Sequence, residues 1–150
     1  MPDGDFDVHD DAPLLDTDIQ QAADVSVESC AFQDIFELAA EAMDDGVQVQ
    51  PRDGADWFRI GDDAIGCIWW PGNRSATARL DHCWVREARR GDGLGAALVQ
   101  HLIDDATDAS AETIDTYCYQ PQLYASAGFE AGESYNMGTT HMILEVDDDE

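Results

Sequence analysis

A strand, a basic glycine-rich turn and an amphipathic helix follow one another between Leu80 and Ala106. Residues 80–85 have a strand pattern, residues 86–93 form the turn, and residues 94–106 place apolar side chains at helical spacing on one face. The first backbone N–H groups of a helix have no partner within the helix, and the positive end of the helix dipole lies there. Glycines let an anion approach these groups without a Cβ in the way. This order of elements predicts a phosphate-binding turn.

Two motifs resemble the signatures of the GNAT N-acetyltransferase superfamily. Residues 90–95, RGDGLG, resemble the acetyl-CoA-binding motif of that family, Q/R-x-x-G-x-G/A. Residues 123–129, LYASAGF, resemble the second signature, in which a tyrosine, here Tyr124, stands four residues before a Gly-Phe pair. The two motifs occur in the family's order, and the resemblance covers residues 57–146.

The resemblance implies a single-domain α/β fold, in which helices lie on both faces of a mixed sheet. It also implies acetyl-CoA as the co-substrate and no metal. The acceptor would be a primary amine, on a small molecule, a peptide or a protein, that attacks the thioester directly in a ternary complex. GNAT proteins frequently dimerise, so the resemblance is compatible with a homodimer.

In the resembling family, the pyrophosphate of acetyl-CoA is held at the turn by backbone N–H groups and by cations. Three of the seven basic residues of this chain lie within five positions here, at 86, 89 and 90. The alternative is a solvated loop whose charges offset neighbouring acids. The residues assigned to this cradle are Arg89, Arg90, Gly91, Asp92, Gly93, Leu94, Gly95 and Ala96.

The same family carries a bulge in the strand before the turn, and this strand separates from the next one. The pantetheine arm lies in the gap and pairs with backbone groups. Here the gap would lie between residues 83–85 and residues 116–118, and a backbone N–H near Trp84 or Val85 would polarise the thioester carbonyl. The predicted cofactor contacts are Cys83, Trp84, Val85 and Tyr117.

Tyr124 matches the family tyrosine that protonates the departing thiolate, and a phenol with a reference pKa of about 10 is a suitable donor. Tyr117 and Tyr119 are nearby competitors. This chain departs from the family in lacking the Asn and Ala that often precede the tyrosine by one to two turns. The alternative is a tyrosine that packs a short helix against the sheet.

Family members often use a carboxylate on the strand before the turn as the base, or a chain of waters. Asp81 and His82 occupy that strand and would point to opposite faces. By the same alternation Asp81 would share a face with Arg79 and Cys83, so Asp81 is the predicted base. A surface aspartate is the alternative. Glu133 and His141 on the last strands are weaker candidates.

The chain is strongly acidic, with 33 acidic and seven basic residues and a net charge of −26. All seven basic residues are arginines, so the chain has no lysine. Self-repulsion of this surface is strong at low salt and largely screened in molar salt, where the Debye length is about 3 Å. The composition resembles that of proteins from salt-accumulating haloarchaea. It argues against nucleic acid as a partner, because nucleic acid requires a basic surface.

A chain of 150 residues is long enough for one core. We expect an acidic, flexible arm over residues 1–24, the domain over residues 25–146 and an acidic tail over residues 147–150. No apolar run reaches the length of a membrane span and the first residues are acidic, which together favour a cytoplasmic protein without a membrane partner. The four cysteines have no metal-ligand spacing and are expected to be reduced.

Apolar spacing predicts a helix over residues 30–43, with Phe32, Ile35, Phe36, Ala39 and Met43 on its buried face. A short strand is expected near Val25 and Val27. Residues 57–60 and 64–70 have the pattern of a hairpin, and residues 76–85, 113–119, 129–135 and 140–146 that of further strands.

Two other functions fit parts of the sequence. Gly91, Gly93 and Ala96 satisfy a loose dinucleotide fingerprint, with Asp115 about twenty residues further on, although one such unit in a short chain is a poor Rossmann domain. The protein could also bind acetyl-CoA without transfer, as a sensor or an interaction module. Turnover with amines separates the enzyme from the sensor.

Overall fold

A computed structural model describes residues 18–47, 49, 54–70, 76–118, 120–134 and 140–146, without the side chains of residues 133 and 134. Short 3-10 turns lie at Ile19–Gln21, Phe32–Ile35 and Glu87–Arg89. None of the described helices is long and apolar enough to cross a bilayer. The strands are β1 Glu28–Cys30, β2 Ala55–Ile60, β3 Ala64–Trp69, β4 Thr77–Val85, β5 Thr113–Cys118, β6 Glu130–Ser134 and β7 Thr140–Glu145, and the helices are α1 Phe36–Asp44, α2 Leu94–Asp108 and α3 Pro121–Ser126.

The seven strands form one mixed sheet in the order β1-β2-β3-β4-β5-β7-β6. Strands β4 and β5 are parallel because α2 carries the chain back between them, whereas the other described neighbours pair antiparallel. The predicted mixed α/β fold is therefore confirmed. A doubly wound parallel sheet, which the dinucleotide-binding alternative requires, is not formed.

Each face of the sheet has its own core. On one face α2 and α3 bury Leu98, Leu102 and Leu123 against β3, β4 and β5. On the other face the shorter α1 buries Leu38 and Ala39 against β2, β3 and β4. We refer to these as the α2 face and the α1 face.

The prediction of one helix over residues 30–43 is wrong at its beginning. Residues 28–30 form β1 and pair with β2, so the first strand lies after Val25 and Val27 and not on them. The carboxylate of Asp34 accepts a hydrogen bond from the Ala31 N–H (3.1 Å) and starts a 3-10 turn, from which α1 follows. The helix therefore buries Leu38 and Ala42, while Phe36 and Met43 are exposed.

Strand β4 contains a β-bulge at His82. Ile65 and Cys67 of β3 pair with Trp84 and Asp81, so that two residues of β4, His82 and Cys83, lie opposite one residue of β3. His82 has a φ of 54°, in the left-handed region. The extra residue shifts the alternation of side chains along β4 by one position.

Candidate functional site

The parallel pairing between β4 and β5 ends in the middle of both strands. Arg79 and Asp115 are the last paired residues, although β4 continues to Val85 and β5 to Cys118. One position further on, the buried Thr116 hydroxyl donates a 2.8 Å hydrogen bond to the Leu80 carbonyl. A side-chain hydroxyl thus replaces the next bond of the ladder, and the two strands separate beyond it.

Tyr124 of α3 lies at this gap. Tyr124 is 2% exposed, and the Cys83 thiol and the Thr116 hydroxyl are polar groups that influence its hydroxyl. Burial raises the pKa of Tyr124 well above its ordinary value of 10.0, and burial likewise raises the pKa of Cys83 to about 12. Both groups therefore keep their protons at neutral pH, and Tyr124 retains a proton that it can donate.

The other residues predicted for the gap also have contacts of their own within the protein. Trp84 is fully buried on the α1 face, where its indole N–H donates to the Asp45 carboxylate (2.8 Å). The carbonyl of Val85 accepts a bond from the Arg90 Nε (2.8 Å). Tyr117 pairs with His141 of β7 and its ring stacks on the imidazole at 4.4 Å.

The turn before α2 contains two glycines in the left-handed conformation, with φ +89° at Gly91 and φ +86° at Gly93. A Cβ at Gly91 would meet no atom within 4 Å, so the position is open to a ligand. A Cβ at Gly93 would overlap the Gln21 carbonyl oxygen and lie 2.8 Å from the Ala23 nitrogen. The close approach of residues 21–23 therefore requires glycine at position 93, and the sequence did not reveal this requirement. Leu94, Gly95 and Ala96 are buried in the first turn of α2.

The three arginines of the predicted basic cluster are all paired with acids. Arg86 makes two bonds to Glu41, and Arg89 bonds Asp63 (2.7 Å) and Asp92 (3.0 Å). Arg90 bonds Asp45 (2.7 Å) as well as the Val85 carbonyl. The charges of the three arginines are thus offset within the protein, which is what the alternative of charges that offset neighbouring acids expects.

The bulge also corrects the predicted faces of β4. Asp81 pairs with Cys67 and lies on the α1 face, and the neighbouring His82 stacks on Trp57 of that same face at 5.7 Å. Asp81 and His82 therefore do not point to opposite faces; their Oδ2 and Nε2 atoms are 3.6 Å apart. Cys83 packs on the α2 face and does not share a face with Asp81.

Two features of the site were not predicted from the sequence. Thr116 closes the vertex of the gap, and a polar cluster on the α1 face surrounds the buried Asp115. Arg79 makes two bonds to Asp115 (3.0 and 3.1 Å), and His141 Nε2 lies 2.9 Å from the same carboxylate. No local signal in the sequence identified the partners of Asp115, which come from β4 and β7.

Residues 18–24, which we call the strap, lie within the predicted flexible arm but contact the domain. The Ala23 N–H donates to the Gly93 carbonyl (2.9 Å), and the Ile19 N–H donates to the Ser126 hydroxyl of α3 (2.7 Å). Ile19 and Ala23 pack against the core of the α2 face. The rest of the predicted arm, residues 1–17, and the predicted tail, residues 147–150, lie outside the described residues.

Proteins with this geometry are known. The chain matches the Acetyltransferase (GNAT) family over residues 21–130. A protein of Exiguobacterium sp. 255-15 is 20% identical with a TM-score of 0.64, over 82% of this chain and 94% of that chain. A Bacillus subtilis acetyltransferase in complex with CoA is 15% identical with a TM-score of 0.59, over 81% and 99%. Rv2747 from Mycobacterium tuberculosis, also in complex with CoA, is 15% identical with a TM-score of 0.64, over 81% and 99%. No curated protein sequence matches the chain.

Proposed function

Because the chain belongs to the Acetyltransferase (GNAT) family, we propose that it transfers an acetyl group from acetyl-CoA to a primary amine, by direct attack in a ternary complex. The observation that carries this proposal is the gap between β4 and β5 with the Tyr124 hydroxyl beside it. Two solved structures that share the fold hold CoA, which supports the co-substrate.

The residues present fit a bound pyrophosphate at the turn before α2. The left-handed Gly91 leaves open space, and the beginning of α2 supplies oriented N–H groups, for which we propose Gly91, Gly93, Leu94 and Gly95. Arg90 has a side chain only 15% exposed, which makes it a structural residue. The side chain of Arg89 is 42% exposed, so its guanidinium can leave its two carboxylate partners and bind a phosphate instead. Binding would therefore depend on short-range hydrogen bonds more than on net charge.

Acetyl-CoA supplies an activated acyl group, and the chain's own residues would orient it in the gap. We propose that backbone groups of Cys83, Trp84, Val85 and Tyr117 pair with the pantetheine arm, because the ladder between β4 and β5 ends at Arg79 and Asp115, before these residues. A backbone N–H near Trp84 or Val85 would stabilise negative charge on the carbonyl oxygen.

We propose that Tyr124 and Asp81 handle protons on opposite faces of the gap. Tyr124 lies on the α2 face and keeps its proton because of burial, so it can protonate a thiolate leaving on that side. Asp81 lies on the α1 face, where an approaching amine could give up its proton to the carboxylate directly or through water. An acid and a base on opposite sides of one carbonyl suit a direct displacement.

We further propose that the protein works in concentrated salt. With a net charge of −26 and no lysine, the domain gains little from attraction to a polyanion and loses much to self-repulsion at low salt. We expect the domain to unfold as KCl is lowered from molar to millimolar concentrations. The cytoplasmic location, the homodimer, and the absence of metal, nucleic-acid and membrane partners stay predictions.

The test of this function is acetyl-CoA binding by calorimetry in molar KCl, with Gly91→Asp and Gly54→Asp as matched variants. Both glycines have positive φ (+89° and +83°), and a Cβ added at either one would meet no atom within 4 Å. The two variants therefore introduce the same backbone strain and the same added charge. We expect Gly91→Asp to weaken binding at least about tenfold and Gly54→Asp to leave it unchanged. No binding by the folded wild type would refute the proposal.

Turnover decides between the enzyme and a sensor that binds acetyl-CoA without transfer. Release of free CoA thiol is followed with a panel of small amines, amino acids, peptide N-termini and lysine-containing peptides. Turnover with any member supports the transferase. Tight acetyl-CoA binding without turnover across the panel would favour the sensor.

A further inference from the structure

The strap, residues 18–24, occupies the space between the two helices that define the proposed cofactor site. One end is bonded to the Gly93 carbonyl, at the beginning of α2, through the Ala23 N–H (2.9 Å). The other end is bonded to the hydroxyl of Ser126, two residues after Tyr124 in α3, through the Ile19 N–H (2.7 Å). The strap therefore spans from the phosphate cradle to the helix that carries the proposed acid.

The fit of the strap on Gly93 is close. The Gln21 carbonyl oxygen lies where a Cβ of residue 93 would be, and Gly93 is buried beneath it. Ile19 and Ala23 also cover apolar side chains of the α2 face. A pyrophosphate bound at the N–H groups of this turn and an arm leading into the gap near Tyr124 would need the space that the strap takes.

The strap is also suited to leave this position. Its described polar hold on the domain is two hydrogen bonds from its backbone, and Ile19 and Ala23 are only partly buried. Segments with few buried apolar contacts open locally at low free-energy cost. Its two ends are aspartates, Asp18 and Asp24, which place negative charge beside any bound polyanion.

We infer that the strap is an autoinhibitory segment that competes with acetyl-CoA for the cleft between α2 and α3. This inference rests on the proposed function. In the closed state the strap lies against Gly93 of the cradle, and acetyl-CoA binds only to the fraction of molecules in which the strap is displaced. Apparent affinity is then reduced by that fraction, so weakening the strap strengthens binding.

The first experiment requires no variant. Amide hydrogen exchange of the wild type is followed at Ala23 and Ala97, whose N–H groups donate to the same Gly93 carbonyl at 2.9 and 3.1 Å. We expect saturating acetyl-CoA to speed exchange at Ala23 and to leave Ala97, inside α2, protected. Continued protection of Ala23 in the saturated complex would overturn the inference, because strap and ligand would then coexist.

The second experiment compares the full-length variants Ile19→Asp and Val25→Asp by calorimetry in molar KCl. Both add one negative charge near the strap, but Ile19 packs on the core whereas Val25 is 40% exposed. We expect Ile19→Asp to bind acetyl-CoA about tenfold more tightly than wild type and Val25→Asp to match wild type. Ser126→Ala, which removes the acceptor for the Ile19 N–H, should change affinity in the same direction and covers the case that Ile19→Asp does not fold.

Three results separate the inference from the function on which it rests. Equal binding by all variants would keep the cofactor site and overturn the autoinhibition. Weaker binding by Ile19→Asp and Ser126→Ala, with folding intact, would make the strap a part of the site and also overturn it. No binding of acetyl-CoA by any folded variant would refute the proposed function itself. The competition between the strap and acetyl-CoA would be refuted with it.

Discussion

The Thr116 hydroxyl is bonded to the Leu80 carbonyl at 2.8 Å, at the point where the backbone ladder between β4 and β5 ends. Both groups lie in the interior, where an unpaired carbonyl is costly. The bond therefore stabilises the vertex of the gap, and it fixes the position of the Thr116 hydroxyl, which lowers the pKa of Tyr124 against the effect of burial.

Replacing Thr116 with Val keeps the shape and removes the donor. We expect the free energy of unfolding in molar KCl to fall by about 1–3 kcal/mol, because the Leu80 carbonyl loses its partner. Thr107→Val is the control, since Thr107 is exposed and bonds the Ile103 carbonyl within α2; its effect should stay within about 0.5 kcal/mol. Equal effects of the two substitutions would contradict the role of Thr116.

Replacing Tyr124 with Phe removes the proposed proton donor and keeps the ring that packs on Phe129 at 5.5 Å. We expect kcat to fall about 10²- to 10⁴-fold, the usual contribution of a general acid. The dissociation constant of acetyl-CoA should be unchanged. Wild-type turnover in this variant would remove Tyr124 from the mechanism.

Asp45 predicts a specific response to acid. Bonds from the Trp84 indole and the Arg90 guanidinium hold the pKa of Asp45 below its ordinary value of 3.8. Since the folded pKa is below the unfolded one, the ionised carboxylate stabilises the fold above about pH 4, and this stabilisation is lost as pH falls through the folded pKa.

We therefore expect Asp45→Asn to lower the free energy of unfolding by roughly 1 kcal/mol at pH 7 and by progressively less as the pH approaches 3. Denaturant titrations at several pH values measure the difference. The exposed neighbour Asp44, changed to Asn, is the control. A difference between wild type and Asp45→Asn that does not shrink in acid would show that the lowered pKa contributes nothing to stability.

The two left-handed glycines of the turn should tolerate alanine differently. Gly91→Ala adds only backbone strain, about 1–2 kcal/mol, because its Cβ meets open space. Gly93→Ala adds the same strain and also forces Gln21 away, so the Ala23 amide should lose its protection from exchange. An Ala23 amide that stays protected in Gly93→Ala, with the chain folded, would show that the strap does not press on Gly93.

The strand, turn and helix at residues 80–106 and the hairpin at residues 55–69 could be predicted because their signals are local. The family resemblance implied a bulge in β4, which the structure contains, but its position at His82 could not be predicted, because the sequence shows only an ordinary strand residue there. The error in assigning faces to Asp81 and Cys83 follows directly from the extra residue that the bulge adds to β4.

The acidic partners of the arginines in the turn could not be predicted from the sequence either. Arg89 and Arg90 look like a basic cluster in sequence, yet their acids Asp63 and Asp45 lie 26 and 45 residues away and meet them only in the folded chain. Gly93 matches a phosphate-binding motif, which was enough to explain a glycine at this position. The second reason, the close packing of Gln21 and Ala23 on Gly93, is visible only in the folded chain. In a chain with 33 acidic residues, composition alone cannot say which acids approach an arginine.

The bulge at His82 reverses which residues of β4 face each side of the sheet. Before it, odd-numbered positions such as Arg79 and Asp81 face α1; after it, the even-numbered Trp84 does, while Val85 faces α2. A strand of the same length that paired without the bulge would exchange the two cores, turning the indole of Trp84 toward α2 and the side chain of Val85 toward α1, whereas deleting the extra residue would leave both on their present faces. The bulge is therefore what allows β4 to carry one residue more than the facing part of β3 and still present the indole and the valine to their own cores.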